Sequence, residues 1–333
     1  MIKVRSLIGL LALLLLMTVS WLYFSYQTFL EKTIQIDQAI EFDVKDGVGS
    51  LAVANQLRSL GYFDGRLWMR AYLWLNKDHH KIKAGRYQLT PDMTLEQVFH
   101  TFTDGEQVEY QITLVEGLTF KQVHELITAS QKLKTVTADK SQEELLSLMG
   151  AEYRHPEGLL FADTYSFHYG YTDAELLKRA HLSLMEVLNE EWETRAENLP
   201  YQSPYEALIM ASIIEKETAV PSERDRIAGV FIRRLAKRMR LQTDPTVIYG
   251  IGESYDGDIK RIHLKTDTPY NTYTRHGLPP TPIAIVGREA IHAALNPADG
   301  TELYFVAKGD GSHHFSDTLE EHNKAVRKYI LGK

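Results

Sequence analysis

Residues 6–24, SLIGLLALLLLMTVSWLYF, carry no charge and few polar side chains. As a helix the run is long enough to cross a bilayer. Lys3 and Arg5 precede it, and bulky Trp21, Leu22, Tyr23 and Phe24 stand where a cleaved leader would place small residues. The alternative, a removed secretory signal, lacks its small-x-small cleavage site. The pattern predicts an uncleaved anchor spanning Leu7 to Phe24, with the basic end in the cytoplasm and residues 32–333 outside it.

Between about residues 36 and 127 a different pattern recurs three times. A short alternating strand is followed by a polar turn and then by a Ser or Thr ahead of an amphipathic helix: EFDVKDGVGSLAVANQL, GRYQLTPDMTLEQVF and YQITLVEGLTFKQVHEL. Ser50, Thr94 and Thr119 are the expected helix caps, with Gln97 and Gln122 as partners in two capping boxes. Alternating strand and helix periods predict small α+β units. Such units bind glycans or act as spacers, and the pattern does not choose.

From Glu157 the chain passes through an aromatic, turn-rich segment into a long helix capped by Thr172 or Asp173. Further helices are expected at about 204–219, 223–238 and 288–295, with a strand over LYFVA and a last helix over DTLEEHNKAVRKYI. Between them lie LQTDPTVIYG and TDTPYNTYTRHGLPPTPIAIVG, too long for turns. Long loops on a helical scaffold carry function.

The helix at 204–219 holds an anomaly. ALIMASIIEKETAVP is apolar until Glu215 and Glu217. At about 100° per residue, Glu217 shares a face with Met210, Ile213 and Ile214, whereas Glu215 falls beside Leu208, Ala211 and Ser212. A carboxyl group on an apolar stripe is held protonated by desolvation, the state a general acid needs. Glu217 is therefore the candidate acid, and Glu215 reads as a replaceable surface acid. Ser222, Glu223 and Asp225 read as a capping box and dipole-matched acids at the next helix.

Composition narrows the chemistry. Lys and Arg number 37 against 44 Asp and Glu, a poor balance for a nucleic-acid partner, and the absence of cysteine removes disulfides, thiolate zinc sites and thiol catalysis. No serine-nucleophile elbow, zinc-protease helix or phosphate loop occurs. The pairs His79–His80 and His313–His314 lack metal-ligand spacing and read as solvated or loop histidines, so no metal site is expected. The loops do offer Tyr165, Tyr249, Tyr270, Asn271 and Tyr273 with Gln242 and Asp244. Aromatic faces and amides of this kind bind sugar rings.

MASIIEKETAVPSERD, RLQTDPTVIYG, PYNTYTRHGLPP, EGLLFADTYSF and the closing HHFSDTLEEHN together resemble the signature segments of the endolytic murein transglycosylases, the MltG (YceG-like) family. The resemblance runs over nearly the whole chain. It departs at Ala162, where many relatives have Pro, and at LPPTPIAIVG, which replaces the commoner LPPGPIANPG.

The resemblance implies an α+β chain in three parts: a tip and transmembrane anchor at 1–30, a small LysM-like α+β region at 31–130, and a mainly helical, lysozyme-like catalytic domain with long loops at 131–333. It maps the catalytic acid onto Glu217. Glu-Thr-Ala is also similar to the Glu-Ser pair of other lysozyme-like lytic enzymes. It further implies a lytic cleavage needing no cofactor, peptidoglycan glycan strands as substrate, a place in the inner (cytoplasmic) membrane facing outward, and peptidoglycan synthases as candidate partners. The competing class is a membrane-anchored glycan-binding adaptor without catalysis. A single-pass protease lacks a nucleophile signature.

Overall fold

The computed structural model describes residues 2–218 and 220–332. The side chains of residues 2–6 and 79–80 are not among those described, so the basic flank Lys3 and Arg5 and the pair His79–His80 lie outside the described residues. Helices take up 49% of the chain and strands 11%, a mixed fold opened by an apolar helix. The chain divides into two compact units, 1–110 with 166–170, and 111–165 with 171–333.

The first unit begins with α1 (Ile2–Leu30). Its stretch Leu7–Leu30 is long and apolar enough to cross a membrane; residues 7–24 are not buried by the rest of the chain, whereas Phe29 packs into the core of the first unit. Then follow β1 (Ile40–Val44), α2 (Ser50–Ser59), α3 (Arg66–Leu75), β2 (Gly85–Leu89) and α4 (Leu95–Thr103). β1 pairs antiparallel with β2, placing Phe42 opposite Tyr87. The inward side chains meet α4, where Phe102 lies 5.5 Å from Phe42 and 5.3 Å from Tyr87 between ring centres. Thr94 forms the expected capping box with Gln97. Ser50 is not a cap. Gly49 takes the extended cap conformation, and Ser50 is the first helical residue, buried against the unit's interior.

β3 (Glu109–Thr113) and β4 (Thr164–His168) form a second two-stranded sheet. The second unit contains α5 (Phe120–Thr128), α6 (Gln142–Met149), α7 (Asp173–Glu193), α8 (Pro204–Glu217), α9 (Arg224–Ala236), α10 (Asp244–Ile251), α11 (Arg261–Lys265) and α12 (Arg288–Leu295). It closes with β5 (Tyr304–Ala307), β6 (His313–Ser316) and α13 (Leu319–Tyr329). α8 is the central helix, packed on α7, α9, α10 and α12. Ser203 caps it and Pro204 opens its first turn, where a missing N–H costs nothing.

Of the expected boundaries, α12 matches residue for residue, and α8 ends at Glu217 with Thr218 as its cap. Thr119 with Gln122 and Thr172 with Glu175 form capping boxes. Ser222 is no cap: Pro221 opens a short 3₁₀ turn over Pro221–Glu223 that runs straight into α9. The segment 281–287, expected to be loop, is core. Ile283, Ala284, Ile285 and Val286 are buried, and backbone bonds join Ile285 to Gly117 and Leu118 and Ala162 to Val286.

Asp173, the alternative cap, has a different task. Its carboxylate is fully buried and accepts hydrogen bonds from the Val136 N–H at 2.9 Å, the Thr137 N–H at 3.1 Å, the Thr137 hydroxyl at 2.7 Å and the Ala174 N–H at 2.9 Å. It ties the loop before α6 to the start of α7. Removing it strands buried donors. Asp173→Ala should destabilise the second unit by about 2–4 kcal/mol, against about 1 kcal/mol for Thr172→Ala, which loses only a cap. Thermal or denaturant unfolding of both variants in detergent checks the order.

Candidate active site

α8 is buried on every side from Ala207 to Ile214. The apolar stripe that set Glu217 apart from Glu215 is thus not a stripe, and the two acids differ in what they meet. Glu215 turns toward the 281–287 segment, where it accepts the Gly287 N–H at 3.2 Å and lies 3.9 Å from the Arg224 guanidinium. Its side chain is 10% exposed. Burial raises its pKa, opposed by the Gly287 hydrogen bond and the Arg224 charge. Glu215 is therefore a structural acid and not a replaceable surface one, because the chain closes over its face of α8.

Glu217, the last residue of α8, turns into a cleft. Its Oε2 accepts a hydrogen bond from the Thr243 hydroxyl at 3.0 Å. Burial pushes its pKa up to about 7, with the Thr243 bond and the Arg234 charge opposing and the Asp244 charge reinforcing the rise. Near neutral pH this carboxyl exchanges between acid and base.

The loop before α10 holds that arrangement. Gln242 sits in the left-handed region, at φ +52°, which is strained for a side chain other than glycine. Its N–H donates to the Thr272 carbonyl at 3.2 Å, and the Thr243 N–H to the Thr272 hydroxyl at 3.1 Å. Thr246 completes the buried set, bonding the Thr243 carbonyl and the Thr272 hydroxyl, each at 2.8 Å. Behind Glu217 stands a buried threonine network that fixes its hydrogen-bond donor. Asp244, at the start of α10, accepts the Tyr273 hydroxyl at 2.6 Å. Burial and that carboxylate push the Tyr273 pKa up, keeping the phenol protonated.

The cleft encloses about 540 Å³. Of the residues expected from the sequence, it brings Gln242, Asp244 and Tyr273 together with Glu217. Tyr165, Tyr249 and Asn271 lie elsewhere, each bonded to protein. The Tyr165 hydroxyl donates to the Phe161 carbonyl at 2.9 Å, within the core. The Tyr249 hydroxyl donates to Glu157 at 3.0 Å. Asn271 donates to the carbonyls of His263 at 3.0 Å and Thr266 at 2.7 Å and accepts the Tyr273 N–H at 2.9 Å, so it shapes the loop that carries Tyr273. Tyr270 bonds Thr281.

The opposite wall comes from the C-terminal hairpin and helix, which spacing gave no reason to join to Glu217. Tyr304, Phe305, His313, His322 and Asn323 line it, together with Arg234 from α9. His313 is not a solvated loop residue: it belongs to β6, and its Nδ1 lies 2.7 Å from Glu223, which also accepts its backbone N–H at 3.0 Å. Glu223 therefore serves the hairpin and not only the helix dipole. His322 stacks on Tyr304 at 5.3 Å, its Nδ1 buried and without a hydrogen-bond partner among the described residues. Burial and the Arg234 charge pull its pKa down. Among the described residues no group of three or more His, Asp or Glu is disposed to hold a metal ion.

The sequence profile of the YceG-like family matches residues 42–328. A Bacillus subtilis (strain 168) protein named endolytic murein transglycosylase is 36% identical over 268 residues, which cover 75% of this chain and 74% of that protein. A Streptococcus pneumoniae serotype 2 protein of the same name is 28% identical over 351 aligned positions, covering 93% of this chain, while the match spans 63% of the longer relative. The crystal structure of a YceG-like protein of Listeria monocytogenes superimposes with a TM-score of 0.54 at 32% identity, covering 86% of this chain and 99% of that one. With a family match over residues 42–328 and these relatives on both sequence and structure, the chain belongs to the YceG-like family.

Proposed function

We propose that this protein is a membrane-anchored, endolytic peptidoglycan lytic transglycosylase. It cuts the β-1,4 bond between N-acetylmuramic acid and N-acetylglucosamine within nascent strands, leaves 1,6-anhydro-N-acetylmuramic acid ends and so terminates elongation. The observation that carries this is Glu217, a carboxyl group with its pKa raised to about 7 at the floor of a sugar-sized cleft. The endolytic transglycosylase name of the Bacillus and Streptococcus relatives supports the substrate class.

In the first step Glu217 gives its proton to the glycosidic oxygen as the C1–O bond breaks. The muramic acid C6 hydroxyl then bonds to C1, and the ionised Glu217 takes the hydroxyl proton. One group thus acts as acid and then as base, which a pKa near that of the medium favours. Attack from within the same sugar spares the entropy of recruiting water. A hydrolase would need a second carboxylate to activate water. Asp244 is the candidate in the cleft, and one of its two oxygens already accepts the Tyr273 hydroxyl. Gln242, Asp244 and Tyr273 are proposed to meet the sugar's hydroxyls and ring face.

The apolar helix α1 is read as a single-pass anchor in the inner membrane, with the catalytic part on the extracytoplasmic side. Peptidoglycan synthases are the proposed neighbours there. The β–α–α–β unit of β1, α2, α3 and β2, with a core of its own, supports a LysM-like, glycan-holding role for region 31–130, and the α8-centred helices support the lysozyme-like reading of 131–333.

Glu217→Gln keeps the shape and hydrogen-bonding capacity but has no proton to give. Its turnover of purified peptidoglycan should fall by about 10²–10⁴-fold or more, with its thermal melt unchanged or raised. Mass spectrometry of the parent's products should show internal cuts and anhydro ends one water lighter than reducing sugars. Ordinary reducing ends would move the mechanism to hydrolysis and to Asp244.

Glu215→Gln should show the reverse split. The amide loses the Arg224 charge and weakens the bond to Gly287, so stability drops by about 1–2 kcal/mol, while activity per folded molecule stays within a few-fold. A dead but stably folded Glu215→Gln enzyme beside an active Glu217→Gln would overturn the assignment.

The pH dependence has a definite sign. The folded pKa of Glu217 is raised to about 7, so the native state binds more protons than the unfolded chain between the usual glutamate range and that value. Its contribution to stability is present at low pH and is lost as pH rises through about 7. Turnover should decline on the same alkaline limb. Melts of parent and Glu217→Gln across pH 5–9 should converge at the acid end and separate at the alkaline end, the parent falling more steeply. Parallel curves would contradict the assigned shift.

A further inference from the structure

The sequence of α3, RLWMRAYLWL, is apolar on both sides of the helix. Met69, Tyr72 and Leu73 face the core of the first unit and are buried. On the other side Leu67, Ala71 and Trp74, at the spacing of one helix face, turn outward. Leu67 is 69% and Trp74 74% exposed, with Leu75 at 57% beside them. Single exposed apolar residues are ordinary, but a contiguous stripe with an outward tryptophan calls for a covering surface.

The start of α3 indicates which surface. Trp68 lies 5.8 Å from Tyr26 of α1 between ring centres, and Gly65 sits against the ring of Phe29. Gly65 has φ +95°, and a Cβ there would come within 3.2 Å of that ring, so this junction of α3 with the end of the span is built around a glycine. Counted from Leu7 at about 1.5 Å per residue, a hydrocarbon layer of roughly 30 Å ends about twenty residues on, beside Tyr26. Tyr26 and Trp68 therefore stand at headgroup level, where such rings are favoured, and α3 begins there. Arg66 and Arg70 on α3 and Lys77 and Lys81 after it are exposed, against the acids Asp64 and Asp78. Guanidinium and ammonium groups flanking an apolar face match lipid phosphates.

We propose that α3 is a second membrane contact. Its Leu67–Ala71–Trp74 face lies in the phospholipid headgroup layer of the leaflet from which α1 emerges, so that the first unit is held on the bilayer by a span and an interfacial helix together. The inference rests on reading α1 as membrane-spanning.

The absence of cysteine makes the test direct. Leu67→Cys, Trp74→Cys, Leu13→Cys and Glu320→Cys, each in the full chain, are labelled with nitrobenzoxadiazole. They are then reconstituted into vesicles of phosphatidylethanolamine and phosphatidylglycerol. Leu13 lies in the span and the Glu320 side chain is 78% exposed, far along the chain in the second unit. Labels at 67 and 74 should be quenched by brominated lipid several-fold more than the label at 320, and shielded from aqueous iodide. Quenching by iodide and not by lipid at 67 and 74, with position 13 quenched by lipid, overturns the α3 contact and leaves the anchor standing. Shielding from both quenchers means that a protein covers the face, and it overturns the proposal equally. Lipid quenching absent at position 13 as well means that the anchor reading itself has failed.

Discussion

A half-buried carboxyl group, set in a cleft at the end of a helix whose body is buried on all sides, is the constraint around which the second unit is arranged. Such a group is costly unless its hydrogen bonding and its surroundings are fixed, so α8 must not shift. Ser212 supplies one pin: its hydroxyl donates to the Ile209 carbonyl at 2.7 Å and accepts the Ile283 N–H at 3.0 Å. Glu215 supplies a second through Gly287. Lys216 adds a third, donating to the Gly117 carbonyl at 3.0 Å. The segment 281–287 thus grips α8 twice within five residues, which explains why a stretch without regular secondary structure is fully buried.

The far wall of the cleft is fastened by α9. Arg226 and Arg233 stand two turns apart and both bind Glu302, Arg226 with two nitrogens at 2.9 and 2.7 Å and Arg233 at 3.1 Å. Arg233 also reaches the carbonyls of Ala298 and Glu302, and Arg234 those of Leu241 and Leu303. Arg234 therefore bonds both walls, the loop before Thr243 and the strand with Tyr304, while its charge acts on Glu217. Gly229 on the same helix is required by contact, since a Cβ there would lie 2.5 Å from the Ala298 carbonyl. Charge-assisted bonds from rigid guanidinium forks are suited to fixing such a wall.

What could be seen in the sequence follows from the range of the interactions. The boxes at Thr94, Thr119 and Thr172 lie within one helical turn and were legible. Ser50 and Ser222 are not caps because a neighbouring glycine or proline sets the local backbone first. Glu217 stands out in the sequence for an apolar stripe that does not exist: the body of the helix is buried all round, and the cleft at its end is what sets Glu217 apart from Glu215. Tyr165, Tyr249 and Asn271 have the right chemistry for sugar but spend it on Phe161, Glu157 and the loop after His263. Residue type alone cannot tell a backbone carbonyl from a ligand hydroxyl. The wall of Tyr304, His313 and His322 was invisible because its link to α8 is tertiary, through Glu223 and Arg234.

The protonation of Glu217 is a balance more than a consequence of burial alone. Desolvation and the Asp244 carboxylate disfavour the charged form, while the Thr243 hydroxyl and the Arg234 guanidinium favour it. Each contributor is itself restrained: Thr243 by Thr272, Asp244 by Tyr273, and Arg234 by three backbone carbonyls. A carboxyl group under desolvation alone would hold its proton too tightly to release it to the bridging oxygen. One under the hydrogen bond and the positive charge alone would be ionised before substrate arrived. In the proposed reaction the same group must lose a proton and regain one within a single turnover, and this is easiest when neither form is strongly preferred. The threonine network, the tyrosine and the arginine then serve one purpose, which is to keep the two forms close in free energy.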